Sequence, residues 1–147
     1  MKRNSNQKVI PKKALVSVSI ISLVILQDQV IKFAVVKSNI LWACNLGFAF
    51  GLLPGFLNGL IGFSMLVFVV YLFLKQKEFI FYAPLALIIG GGISNLADRI
   101  FRGCVVDFMQ IPLWPTTFNF ADLAITVGVL LIIFSAYRNF LKKNNEA

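Results

Sequence analysis

The sequence predicts an all-α integral membrane fold of four transmembrane helices, with both termini on the cytoplasmic side. Three observations carry this. The chain has 147 residues, 59% hydrophobic and 14% charged, with a mean hydropathy of +0.83. A soluble domain of that length has too little interior to hide so much apolar surface, so lipid is the expected solvent. Four apolar runs each approach the ~20 residues that cross a bilayer core as a helix. Finally, most of the 14 basic residues cluster beside those runs, as Lys2, Arg3, Lys8, Lys12 and Lys13, then Lys75 and Lys77, then Arg138, Lys142 and Lys143.

The first predicted span covers about 13–33 and is polar only near its end. With no small-residue cleavage site after Leu26 and three more spans following, it reads as an uncleaved anchor. The second covers about 56–74, and Lys75-Gln76-Lys77-Glu78 makes a tight inner turn into the third, about 79–97. The fourth covers about 121–141. Segments of about 37–55 and 99–120 then fall outside the cytoplasm. In the second of them, "CVVDFMQIPLW" alternates partially and carries β-branched and aromatic residues, which suggests short strands or an interfacial loop. With no repeat or linker, residues 1–147 read as one membrane domain.

Composition also removes whole classes of chemistry. The net charge of +8 is placed as the positive-inside bias requires, so nucleic acid is not an expected partner. There is no His, which excludes Ser-His and Cys-His catalysis, and no metal or cofactor is expected. Cys44 and Cys104 would pair if both faced an oxidising compartment; two unpaired small apolar residues is the simpler expectation.

The six acidic residues sort by side. Glu78 and Glu146 lie in solvated cytoplasmic clusters, whereas Asp28, Asp98, Asp107 and Asp122 fall at or near the outer face. Asp98 follows Glu78 by 20 positions and Asp122 precedes Lys142 by 20, so both lie ~30 Å from the inner surface at helical rise. Their contexts match: Asn95-Leu-Ala-Asp98 and Asn119-Phe-Ala-Asp122 each put an amide and a carboxylate on one helix face. Ionisable groups at membrane depth mark function, and two carboxylates at one site share a proton as an aspartic-protease pair does. The competing reading pairs Asp98 with Arg99 or Arg102 and makes Asp122 a helix cap. Asp28 and Lys32 form an i, i+4 ion pair by default, with a supporting role second. Asp107 reads as structural, and Gly90, Gly91 and Gly92 as a helix-packing surface. Asn45, in "NLGFAFG", carries only a weak signal by itself.

Five blocks in order, "DQVIK", "NLGFAFG", "GGGISNLADR", "GCVVDF" and "FNFAD", resemble the bacterial lipoprotein signal peptidases (signal peptidase II) over nearly the whole chain. The resemblance implies an aspartic endopeptidase of the bacterial inner membrane, with its active site at the extracytoplasmic face. Its expected substrates are prolipoproteins carrying a diacylglyceryl-Cys, cleaved just before that Cys, with membrane lipid as the other partner. It implies Asp98 and Asp122 as the catalytic pair, with Asn45, Asn95, Arg99 and Asn119 around the site and Asp28 and Lys32 supporting it. It adds a small extracytoplasmic β-cradle and an amphipathic arm to the four helices. Phe48, Ser94 and Leu123 depart from the family pattern without touching that pair. The oligomeric state is left open, a monomer being sufficient. Two other readings stand beside it: a four-helix proton-coupled transporter using Asp28, and a non-enzymatic scaffold that would leave the paired Asp unexplained.

Overall fold

A computed structural model describes residues 12–38, 40–47, 55–112 and 116–145. Lys2, Arg3, Lys8, Phe48 and Glu146 lie outside the described residues, as does the rest of 48–54 in the predicted 37–55 segment. The chain runs through helix α1 (Lys12–Lys37), strand β1 (Ala43–Asn45), helix α2 (Gly55–Lys75) and, after one 3-10 turn, helix α3 (Tyr82–Arg102). Strands β2 (Val105–Asp107), β3 (Met109–Gln110) and β4 (Thr117–Phe118) follow, then helix α4 (Phe120–Asn145).

Among the described residues, three stretches are long and apolar enough to cross a membrane: Lys12–Lys37, Leu57–Lys75 and Phe120–Asn145. Their outward faces are apolar, with Leu26, Phe68 and Ile133 all more than half exposed, as a surface against lipid requires. Helix α3 is 21 residues long but is less apolar, because Asn95, Asp98 and Arg99 fall in its C-terminal half. It tolerates them because it is the central helix, packed against α1, α2 and α4.

The three glycines explain how one helix meets three neighbours. Successive positions on a helix step by about 100°, so Gly90, Gly91 and Gly92 face different partners. A Cβ on Gly90 would meet Val24 of α1 at 3.0 Å, one on Gly91 the Ala121 carbonyl of α4 at 2.5 Å, and one on Gly92 Leu66 of α2 at 3.1 Å. The middle contact is with backbone, which cannot rotate away. Gly91→Ala should therefore destabilise the protein by about 1–3 kcal/mol by forcing α4 outward, read as a lower melting temperature in detergent. Gly90→Ala, against a side chain, should cost less.

Gly103, in the left-handed region at φ 80°, ends α3 and turns the chain into β2. β1 and β2 pair antiparallel, matching Ala43 with Asp107, Cys44 with Val106 and Asn45 with Val105. β3 and β4 form a second small antiparallel ribbon, with Met109 opposite Phe118. The alternation in the 104–111 stretch thus resolves into two short strands.

The simpler expectation for the cysteines is corrected. Cys44 and Cys104 form a disulfide with Cα atoms 5.5 Å apart across a sequence separation of 60. The β1–β2 register brings them together, and that long-range pairing has no local trace in the sequence.

At the opposite end, Lys13 Nζ donates to Tyr82 Oη (3.3 Å), and Asn139 Nδ2 to Glu78 Oε2 (2.9 Å). The start of α1, the α2–α3 turn and the later part of α4 therefore share one end of the bundle.

Candidate active site

The sequence Asn119-Phe120-Ala121-Asp122 starts α4 as a reciprocal cap. Asn119 Oδ1 accepts the Asp122 N–H (2.9 Å), and Asp122 Oδ2 accepts the Asn119 N–H (3.2 Å). Two of the N–H groups that every helix start leaves without a helical partner are satisfied this way. Asp122 does cap its helix, as the competing reading held. Its other oxygen, Oδ1, accepts from Asn95 Nδ2 (2.7 Å), which ties α4 to α3.

Asn119 reaches further. Its Nδ2 donates to Asp107 Oδ1 (2.7 Å) and to Asn95 Oδ1 (3.1 Å). One buried asparagine thus contacts two carboxylates, Asp122 through backbone and Asp107 through side chain. Asn45, on β1, donates its Nδ2 to the second oxygen of Asp107 (2.8 Å) and turns its own carbonyl oxygen to the Gly47 N–H (2.9 Å). Burial pushes the Asp107 carboxyl above its ordinary value. The Asn45 hydrogen bond pulls it back, the nearby charge of Asp122 pushes it up, and Asn119 and Lys32 pull it down.

Lys32 is fully buried at 0% exposure, and its ammonium is surrounded by acceptors: Asp28 Oδ2 at 2.6 Å, Asp98 Oδ2 at 2.8 Å and Asn95 Oδ1 at 3.0 Å. A buried cation of this kind is tolerable only with its donors met, and here all three are. The Asp28–Lys32 ion pair expected from spacing is present, but it belongs to a larger cluster. Ser94, where the family pattern more often has Gly, donates to Asp28 Oδ2 (2.7 Å) and accepts from Gln29 Nε2 (2.9 Å).

Both buried acids of the cluster also hold backbone. Asp28 Oδ1 accepts the Ala121 N–H (2.9 Å), one residue before Asp122. Asp98 Oδ2 accepts the Val106 N–H (3.2 Å), one residue before Asp107. Asp98 is itself fully buried and paired with two cations, Lys32 and Arg102, while Gln29 Nε2 donates to its Oδ1 (3.0 Å). The pairing with Arg102 that sequence spacing offered as an alternative is therefore what the structure contains. The oxygens of Asp98 are committed to that cluster.

A cavity of ≈ 300 Å³ opens beside this network. Its polar wall has Asn45, Asn95, Arg99 and Asp122, and its apolar wall includes Met65, Leu66 and Val69 of α2 with Ile88 and Ile125. Arg99 Nη1 donates to the Asn95 carbonyl (3.2 Å), while its buried Nε has no hydrogen-bond partner among the described residues.

Of the residues singled out from sequence, Asn45, Asn95, Arg99 and Asp122 share the cavity wall, and Asn119 lies directly behind it. Asp28, Lys32 and Asp98 form the buried cluster below. Asp107 was missed as a member of the polar network, as were Gln29 and Ser94. For Asp107 a signal existed: it is the one ionisable residue of the "GCVVDF" block.

The family model described as signal peptidase (SPase) II matches residues 20–138. A lipoprotein signal peptidase of Desulfitobacterium hafniense is 41% identical over 99 residues, 65% of this chain and 66% of that protein's length. One from Thermodesulfovibrio yellowstonii is 34% identical over 144 residues, covering 83% of this chain and 92% of the relative. A solved bacterial membrane enzyme superposes with a TM-score of 0.77 at 28% identity, over 87% of this chain and 91% of that one. The transporter reading finds no support: both oxygens of Asp28 are occupied, at 0% exposure. With a family model matched across most of its length and a helical membrane fold to accompany it, the chain belongs to the signal peptidase II family of aspartic-type membrane peptidases.

Proposed function

We propose that the protein is an endopeptidase that removes the signal peptide from diacylglyceryl-modified prolipoproteins, cutting before the lipid-bearing Cys. In this reading α3 is a fourth span of one membrane domain, both termini are cytoplasmic, and the site faces outward in a bacterial inner membrane. The grouping of basic residues at one end and the acid network at the other supports that orientation. A disulfide near the site also favours an oxidising side.

The reacting pair we propose is Asp107 and Asp122, in place of the Asp98 and Asp122 pair expected from sequence. The observation that carries it is Asn119, which contacts both carboxylates and holds them to one network. Asp107 is bound by neutral amides and feels the charge of Asp122, the condition under which two carboxyls share one proton. The oxygens of Asp98 are instead taken up by two cations, Lys32 and Arg102, with Gln29 and the Val106 N–H completing its contacts.

The chemistry follows from the shared proton. The ionised member takes a proton from water, which attacks the scissile carbonyl; the protonated member donates to the carbonyl oxygen, and a proton then passes to the leaving amine. Asn45, Asn95 and Asn119 hold the carboxyls in place. Arg99 Nε, a buried donor at the cavity wall, is suited to a substrate carbonyl. The apolar wall from α2 suits an apolar chain of the substrate.

The test is cleavage of a diacylglyceryl prolipoprotein by the purified protein, with the unmodified precursor as comparison. Cleavage of the unmodified precursor at equal rate, or of neither, would overturn the substrate assignment. A pH prediction follows as well. Turnover needs one proton on the pair, so it is lost at high pH when that proton leaves. Asn45 stabilises the ionised form of Asp107, so Asn45→Ala should move the high-pH limb of kcat upward. A downward move would contradict the proposed pair.

A further inference from the structure

The disulfide has a specific relation to the site. Cys44 immediately precedes Asn45, whose side chain donates to Asp107, and Cys104 lies on the turn between α3 and the β2 strand that carries Asp107. β1 is three residues long and, among the described residues, pairs only with β2. A two-stranded ladder that short is marginal on its own and holds its register weakly. The covalent bond joins the two sides of that ladder next to the Asn45–Asp107 contact. Cys44 is exposed while Cys104 is 5% exposed, so one end of the bond is open to a small thiol.

We propose that the Cys44–Cys104 disulfide is a positioning bond for the peptidase: it keeps Asn45 on the Asp107 carboxylate, and its reduction by a dithiol lowers turnover. The proposal rests on Asp107 belonging to the reacting pair. In the reduction, a thiolate of the dithiol attacks Sγ of Cys44 and the Cys104 thiolate leaves and takes a proton. The second thiolate then attacks the mixed disulfide, and Cys44 leaves as thiolate and is protonated. Two electrons and two protons pass to the protein, and the reagent departs as its own disulfide. Cys44 and Cys104 are positioning residues, since neither is placed on the reacting atoms.

The experiment uses the full-length protein, purified under oxidising conditions in detergent and assayed on a diacylglyceryl prolipoprotein. Free thiols are alkylated with a maleimide and counted by mass before and after treatment with dithiothreitol. The kcat, KM and pH profile are measured for oxidised wild type, reduced and alkylated wild type, the C44A/C104A double variant and Asn45→Ala. The expected labelling is none before reduction and two thiols after it. Breaking the bond should lower kcat by about ten- to a hundredfold, the worth of a hydrogen bond to a charged group, with KM changed less and the high-pH limb moved upward. Asn45→Ala should show the same losses, and reducing it should add little more.

Two labelled thiols without reduction would overturn the proposal. So would a kcat and pH profile that do not respond to reduction, or losses from reduction and Asn45→Ala that multiply as independent effects. Turnover by oxidised wild type and by Asp107→Asn reports separately on the substrate and on the pair. A failure of that reading is therefore visible apart from a failure of the redox dependence.

Discussion

Asp122→Asn and Asp107→Asn are each expected to lower kcat by about 10²–10⁴-fold, the usual contribution of a positioned acid or base. Both should also lose some stability. An amide in place of the Asp122 carboxylate keeps an oxygen for the Asn119 N–H, so the α4 cap survives, but its NH2 then faces the Asn95 Nδ2 donor. In Asp107 both carboxylate oxygens accept from amide groups, of Asn45 and of Asn119. At either position the new NH2 meets a donor head-on and costs about 1–3 kcal/mol. Asp98→Asn makes the discriminating comparison. It removes one of the two carboxylates on Lys32 and the carboxylate on Arg102, and disturbs the hold on the Val106 N–H, so its first effect should be on folding. The prediction is a larger fall in melting temperature for Asp98→Asn than for Asp122→Asn, which should still fold but be inactive. An Asp98→Asn protein that melts like wild type and has lost all turnover would return Asp98 to the reacting pair.

Lys32→Met should be the most destabilising single change. It keeps most of the side-chain volume but leaves Asp28 without a cation and Asp98 with Arg102 alone. Removing one partner from a buried ion pair costs about 3–5 kcal/mol, because the remaining charge stays desolvated. Thermal unfolding in detergent micelles would read this as a large drop in melting temperature. Adding Asp28→Asn to Lys32→Met should recover part of the loss. The neutral amide removes the stranded charge, and its oxygen can still accept the Ala121 N–H. A double variant less stable than Lys32→Met alone would mean that the charge on Asp28 does not carry the penalty.

The sequence made the membrane character legible because apolar run length is a local property, and each helix in lipid must satisfy its own backbone. The fourfold pattern of runs matches α1 to α4 closely, with α3 ending at Arg102, later than the apolar run suggested. The Asn-x-x-Asp pairs were legible for the same reason: spacing of three on a helix puts both side chains on one face. In α4 that spacing became the Asn119–Asp122 cap. In α3 the same spacing placed Asn95 toward Asp122 but Asp98 toward Lys32. Helical counting gives depth and misses the side-chain network that decides each neighbour.

Asp107 shows the limit most clearly. It lies on a three-residue strand whose partners, Asn45 and Asn119, come from before α2 and after β4. No periodicity links those positions. The disulfide belongs to the same class, since 60 residues separate its cysteines. The sequence by itself determined the solvent, the helical runs and the collection of four aspartates near one face, because these depend on composition and short spacing. Only the tertiary structure decided which aspartates are held by cations and which by amides. Burial makes that distinction matter: without water to screen it, a neighbouring cation commits a carboxylate to its charge, while a neutral amide leaves it able to exchange a proton.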